Sequence, residues 1–269
     1  MKKIKCGNFI KNILAVVLIV FIFSGQTIAF ARAGGGGSGS SNGSTSHAST
    51  SHSDSSSHRH WSTMRSTERP DFIDIIIIIG ILILIIIFVP IIIRKVRLTK
   101  NKYKSISVIE NLSKCDDHWN YDNLMKDIKD AFYMIQIAWR ERNQELAKEY
   151  VSEYLYVKHK FKTEEMKLSK EKNILENTVL IDAIPIGLQD LGGIDKDYIW
   201  VHIKAKCRDY TINEETNKII DEKSSTNDYF EEYWKFIRTE KRWVLDDIRQ
   251  IDQIKDLDFF RIDAPNKYY

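Results

Sequence analysis

Residues 75–93 read IIIIIGILILIIIFVPIII, and no other stretch of this 269-residue chain restricts its fold so severely. Seventeen of these 19 residues are Ile, Leu, Val or Phe. At about −0.3 to −0.6 kcal/mol each near the centre of a membrane helix, they outweigh Gly80 and Pro90. As a helix, the run rises about 28 Å, close to the thickness of a bilayer's hydrocarbon layer. A soluble strand is the competing form, because the run is rich in β-branched residues. Strands seldom reach this length, and lipid admits only helices or closed barrels. The reading is one transmembrane helix over 73–93.

The flanks orient it. Asp71 and Asp74 stand at one end, where a helix N-terminus tolerates carboxylates. Their place at the rim favours an interfacial role over that of intramembrane acids. Arg94, Lys95, Arg97, Lys100, Lys102 and Lys104 follow the other end with no acidic residue among them. The positive-inside rule assigns that end to the cytoplasm of a plasma-membrane protein. The same basic juxtamembrane segment, 94–104, is available for contact with anionic lipid, at about 1 kcal/mol per cation. Beyond it, residues 105–269 carry 26 Lys and Arg against 33 Asp and Glu, although the whole chain has a net charge of +3. An acidic domain argues against nucleic acid as a partner. It is expected to sit near the membrane on a short tether.

Upstream, Lys2, Lys3, Lys5 and Lys11 precede a shorter apolar run from Ile13 to Phe23. Small residues at Ala29, Ala31 and Ala33 then offer a cleavage site, so residues 1–31 read as a signal peptide. An uncleaved first helix is the alternative. Residues 32–72 read as a disordered extracytoplasmic segment. Within it, 34–60 hold 11 Ser, 6 Gly, 4 His and 2 Thr, with no apolar surface to offset chain entropy. His47, His52, His58 and His60 suggest weak capture of a divalent metal or an outside-facing sensor. No fixed geometry holds the four rings together, so a polar spacer is preferred.

Residues 105–269 have enough chain for one core, and their pattern is helical first and β-like afterwards. Asp122 is placed to cap a helix carrying Leu124, Ile128, Ala131, Ile135 and Ala138/Trp139 at helical period. Asn143 breaks that run and caps a second helix with a stripe of Leu146, Tyr150, Tyr154/Leu155 and Phe161; Lys158 to Lys172 is its charged continuation. Val179, Ile181 and Ala183 alternate with Leu180 and Asp182, and Pro185 marks a strand end or an edge. Ile199, Val201, Ile203, Ala205 and Cys207 form the inward face of a long strand. Trp200, His202, Lys204 and Lys206 take its other face, where His202 reads as a surface histidine and, with Trp200, as a hint of a contact surface. Thr211 to Ser225 is a polar connection. Tyr229 to Arg238 and Trp243 to Ile248 are two more strands joined by Thr239-Glu240-Lys241. The fold class expected is α+β: two or more helices on a curved antiparallel sheet, preceded by one transmembrane helix.

The run Phe132-Tyr133-Met134-Ile135-Gln136-Ile137-Ala138-Trp139, followed by Asn143 and a helix to Leu155, resembles the Tim-44-like domain family. So does Phe230-Glu231-Glu232-Tyr233-Trp234-Lys235-Phe236-Ile237-Arg238, followed by Trp243-Val244-Leu245 and Ile248. The order of signal sequence, Gly/Ser-rich stretch, span and domain is similar to that of bacterial members. The resemblance covers about 120–250, with Asn143 where the family more often has Asp. It implies a cone-like, nuclear-transport-factor-2-like fold. It also implies a membrane-associated module that binds a protein partner. The mitochondrial relative tethers a chaperone to an import channel. That role is not carried over, because no mitochondrial-type presequence and no long chaperone-contacting region is recognised.

No chemistry is legible. Gly192-Gly193 lacks the spacing of a phosphate loop, and neither a zinc-protease motif nor a nucleophile elbow occurs. His118, His159 and His202 are far apart in sequence. Asp246 and Asp247 are neighbours on a strand and should point to opposite faces. Asp182 and Asp209 are strand-borne acids of the kind related cones place in a pocket, but fold analogy is a poor warrant for activity. No catalytic, cofactor-binding or metal-ligating residue is therefore assigned, no cofactor is expected, and the domain is read as non-catalytic. Cys115 and Cys207 read as ordinary buried or half-buried thiols. Trp139, Trp200, Trp234 and Trp243 read as core, with a partner groove as the alternative. The leading function is a membrane-tethered protein-binding or scaffold module; a lipid or small-molecule pocket, or an enzyme on the same fold, is the alternative.

Overall fold

A computed structural model describes residues 72–222, 228–254 and 256–264. The signal-peptide and His-rich readings, including His47, His52, His58 and His60, lie outside the described residues, as does Asp71. Among the described residues, three α-helices precede six strands: α1 (Phe72–Leu112), α2 (Tyr121–Glu141), α3 (Glu153–Leu168), β1 (Glu171–Gln189), β2 (Tyr198–Asn213), β3 (Lys218–Glu222), β4 (Asp228–Arg238), β5 (Trp243–Gln250) and β6 (Ile262–Asp263). Short 3₁₀ turns at Asp117–Trp119, Gln144–Tyr150 and Leu257–Phe259 complete the fold.

Helix α1 contains the apolar run and is long and apolar enough to cross a membrane. It does not stop at the end of that run. Its 41 residues continue through the basic segment as one helix, about 61 Å long. Ser105, Val108, Ile109 and Leu112, in its last turns, are buried in the domain core. The expected short tether is therefore a continuous helix whose far end belongs to the domain. The stretch 92–98 contains no Gly or cap that would end a helix, and the inward positions 105, 108, 109 and 112 keep helical spacing.

Helix α2 carries the predicted stripe: Leu124, Ile128, Ala131, Ile135, Ala138 and Trp139 are all buried. Its cap is Asn120 rather than Asp122; the Asn120 side chain accepts the Asn123 N–H, and Asp122 lies in the first turn. Asn143 caps as expected, accepting the Glu145 N–H, but the element it opens is a 3₁₀ segment. The regular helix α3 begins only after Ser152, which accepts the Leu155 N–H. This break changes the phase of the predicted stripe. Leu155 is buried, but Leu146, Tyr154 and Phe161 are exposed, and α3 instead buries Tyr156, His159, Thr163 and Met166.

The sheet order is β5-β4-β2-β1-β6, with β3 also paired to β2. All pairs are antiparallel except β1 with β6, a two-residue parallel contact that makes the sheet mixed. Three register shifts along β1 and one between β4 and β5 bend it into a curled half-barrel. Pro185 sits beside one of these shifts in β1, whose other side pairs only at Leu188 and Gln189. A bulged edge is where a residue lacking an N–H fits. The shifts also place Val179 and Ile181 at the surface, while Leu180 packs on the core and its N–H donates to the Tyr133 hydroxyl at 3.3 Å.

Two layers of core cover the two sides of the sheet. On the first, Ile199, Val201, Ile203, Ala205 and Cys207 face α2 as predicted. Phe132 lies 5.5 Å from Trp234, and Trp119 lies 4.8 Å from Trp243. On the second, Trp200, Tyr233, Ile186, Leu257 and Phe260 form a smaller cluster closed by Leu98 of α1 and by Ile251 and Ile254. His202, expected at the surface, is buried there, as is Trp200, whose core reading holds although its strand face was expected to point outward. The basic half of α1 and the chain after β5 supply the cover, which strand alternation alone does not reveal. Cys207 is buried, whereas Cys115 is exposed, contrary to the half-buried expectation.

Candidate functional site

Where the spanning helix meets the sheet, polar side chains gather on the second face. The register places His202 of β2 opposite Tyr233 of β4, with Glu231 and Lys204 one step further along the same face. The Arg94 guanidinium donates to the Tyr233 hydroxyl at 3.0 Å and lies 5.9 Å from the ring centroid. His202 Nε2 is 2.9 Å from Glu231 Oε2, and Lys204 Nζ is 3.6 Å from Glu231 Oε1. The His202 hydrogen bond, helped by the charges of Lys204 and Arg94, pulls the Glu231 carboxyl down to about 2 against the opposing effect of burial. Burial pushes the Tyr233 phenol up.

This junction divides the six juxtamembrane cations. Arg94 is turned into the domain, and Arg97 lies 3.6 and 3.9 Å from Asp256 and Asp258. Lys95, Lys100 and Lys104 are exposed, and Lys102 is half-buried.

The other residues weighed for chemistry are kept apart. Asp182 is exposed opposite Lys204, whereas Asp209 is buried opposite Leu175 and accepts the Asn173 side-chain N–H at 2.7 Å. The register shift at Asp246 breaks strand alternation, so Asp246 and Asp247 are not held on opposite faces as expected, but they take different partners. Asp246 pairs with Lys235 at 3.1 Å, and Asp247 with Arg249 at 2.6 Å. His159 packs edge-on against Trp139, and His118 Nδ1 is 3.2 Å from Asp116. Among the described residues, no group of three or more His, Cys, Asp or Glu is placed to hold a metal ion.

Two polar features escaped sequence reasoning. Arg238, at the end of β4, binds Asp116 at 2.5 Å and Asp197 at 2.9 Å. Asp197 also accepts the N–H groups of Leu191 and Gly193, so this clamp ties the turn after α1 to the β1–β2 loop. Nothing local in sequence pairs residues so far apart. Glu232 is fully buried and accepts from Trp234 Nε1 at 2.9 Å and Gln250 Nε2 at 2.8 Å. Its signal was present, since Phe230, Glu232, Trp234 and Phe236 share one phase of β4.

A cleft of ≈ 380 Å³ opens between the 3₁₀ segment before α3 and the β4–β5 turn. Val151, Ile237 and Val244 contribute apolar surface, while Lys148, Glu149, Glu153, Lys241 and Arg242 give it mixed charge. Arg242 stacks 4.7 Å from the Tyr150 ring beside it. Such an open, mixed-charge cleft suits polypeptide contact better than enclosure of an acyl chain.

A family model described as Tim44-like domain matches residues 105–250. No curated protein matches the chain.

Proposed function

The chain belongs to the Tim44-like domain family, and from that premise we propose that it is a single-pass membrane protein presenting this domain as a protein-binding or scaffold module. One observation carries the reading: α1 passes without interruption from the apolar run into the core at Val108, Ile109 and Leu112. A domain held in this way has a defined height and orientation at the membrane, which raises its effective concentration for partners there. The role is non-catalytic. The membrane is the plasma membrane, and the six cations after the run put the domain on the cytoplasmic side. Lys95, Lys100, Lys102 and Lys104 then meet anionic headgroups, with Arg97 shared between lipid and the domain.

The test combines topology with capture. A C-terminal tag should resist protease in intact cells and be cleaved once the membrane is opened. A photo-crosslinker at Lys241, beside the cleft, should then yield a discrete protein adduct in membranes. Cleavage in intact cells would overturn the orientation, and adducts with lipid alone would overturn the protein-binding role.

A further inference from the structure

Helix α3 has two apolar faces. One, made of Leu155, Tyr156, His159, Thr163 and Met166, is buried against the domain. The other consists of Tyr154, Val157, Phe161 and Leu168, whose relative exposures are 67%, 55%, 74% and 84%. At about 100° per residue these four fall within about 60° of arc, opposite the buried face, and form a stripe about 21 Å long. Scattered surface apolar residues need no explanation, but a continuous stripe of large side chains marks a contact.

The charges beside the stripe indicate its occupant. Glu153, Lys160, Glu164 and Lys167 line one flank, and Lys158, Lys162 and Glu165 the other. Two such helices packed antiparallel about Phe161 place Tyr154 against Leu168 of the second copy. In that register Glu153 meets Lys167 and Lys158 meets Glu165, twice over by symmetry, while Lys160 stays with Glu145 and the Tyr156 hydroxyl of its own domain. The antiparallel arrangement also sets the helix dipoles head to tail. Within the helix, Lys162 already pairs with Glu165 at 2.8 Å and Lys167 with Glu164 at 2.7 Å, so one flank is neutral and the other keeps a net positive charge from Lys158, and both can extend into a network.

We infer that the Tyr154–Leu168 stripe is the contact between two copies of this chain, packed antiparallel about Phe161. The apolar patch is small for a stable soluble dimer, but anchoring both copies in one membrane offsets part of the cost of association. The inference rests on the membrane-anchored reading only for that confinement.

The experiment uses the full chain in lipid vesicles, in a background with Cys6 and Cys115 replaced by Ser. Phe161→Cys should form a disulfide-linked dimer on mild oxidation. Leu168→Cys should not link to itself but should link to Tyr154→Cys when the two variants are mixed. Lys158→Glu should reduce the dimer fraction several-fold, and Lys158→Glu with Glu165→Lys should restore it. All four stripe positions are exposed, so thermal unfolding should be unchanged and failure to fold would be visible separately. No link at position 161, equal self-linking at 168, or insensitivity to the charge reversal would each overturn the inference. Alkaline extraction of the chain from vesicles would instead overturn the anchored reading, independently of the cross-linking result.

Discussion

The Arg94 guanidinium and the Tyr233 hydroxyl are 3.0 Å apart, which joins the first cation after the apolar run to a buried position in the middle of the sheet. Tyr233 also packs edge-on against Phe260 with ring centroids 4.6 Å apart, so one side chain links α1, β4 and the segment after β5. Tyr233→Phe retains the ring contact and removes the hydroxyl, at a cost of about 1.5–3 kcal/mol for a hydrogen bond to a charged group. Hydrogen exchange should quicken at the amides of 94–98 and change little at 105–112. Identical exchange in both proteins would mean the bond does not secure the helix.

The continuous helix has a second consequence at its buried end. Ile109 is fully buried, and Ile92 is exposed within the apolar run. Ile109→Ala should lower domain stability by about 2–5 kcal/mol through lost burial and an unfilled cavity. Ile92→Ala should leave it unchanged. Equal effects in a denaturation series would contradict the integration of α1 into the core.

Acid sensitivity should follow Glu231. Its carboxyl is held down to about 2 from an ordinary value of 4.5, chiefly by the His202 hydrogen bond. A depressed carboxylate contributes stability that is complete above the unfolded value and is lost as pH falls through the folded one. Wild-type stability should therefore decline between about pH 4.5 and 2. His202→Gln should be less stable at neutral pH and have a shallower decline in that window. A parallel pair of pH–stability curves would remove the His202–Glu231 pair as the cause.

Gly187 tests the closure of the second face. A Cβ there would meet Phe260 Cβ at 2.9 Å and the Arg261 carbonyl oxygen at 3.1 Å. Neither neighbour is the free end of a flexible side chain, so Gly187→Ala should cost about 1–3 kcal/mol by displacing β6. Limited proteolysis should then cut within 251–264 sooner than in the wild type. Unchanged cleavage would show that β6 adjusts without strain.

Local pattern was a good guide wherever one residue's environment is set by its own element. The α2 stripe from Leu124 to Trp139 and the β2 face from Ile199 to Cys207 match periods of 3.6 and 2, because each element has one face toward the larger core. Pattern misled at α3. A 3₁₀ turn over Gln144–Tyr150 changes the angle per residue and rotates the helix after it, so Tyr154 and Phe161 emerge on the outside. It also misled at Trp200 and His202, whose cover comes from residues about a hundred positions earlier and fifty later.

The sequence by itself determined the candidate membrane span, the α+β class and the family, because hydrophobic run length and residue period are local properties of the chain. Only the tertiary structure decided that α1 is part of the domain, that Arg94 faces Tyr233 and Arg238 clamps Asp116 to Asp197, and that one apolar face of α3 is left uncovered. Those outcomes depend on which distant segments compete to cover each surface, and that competition is settled by packing in three dimensions.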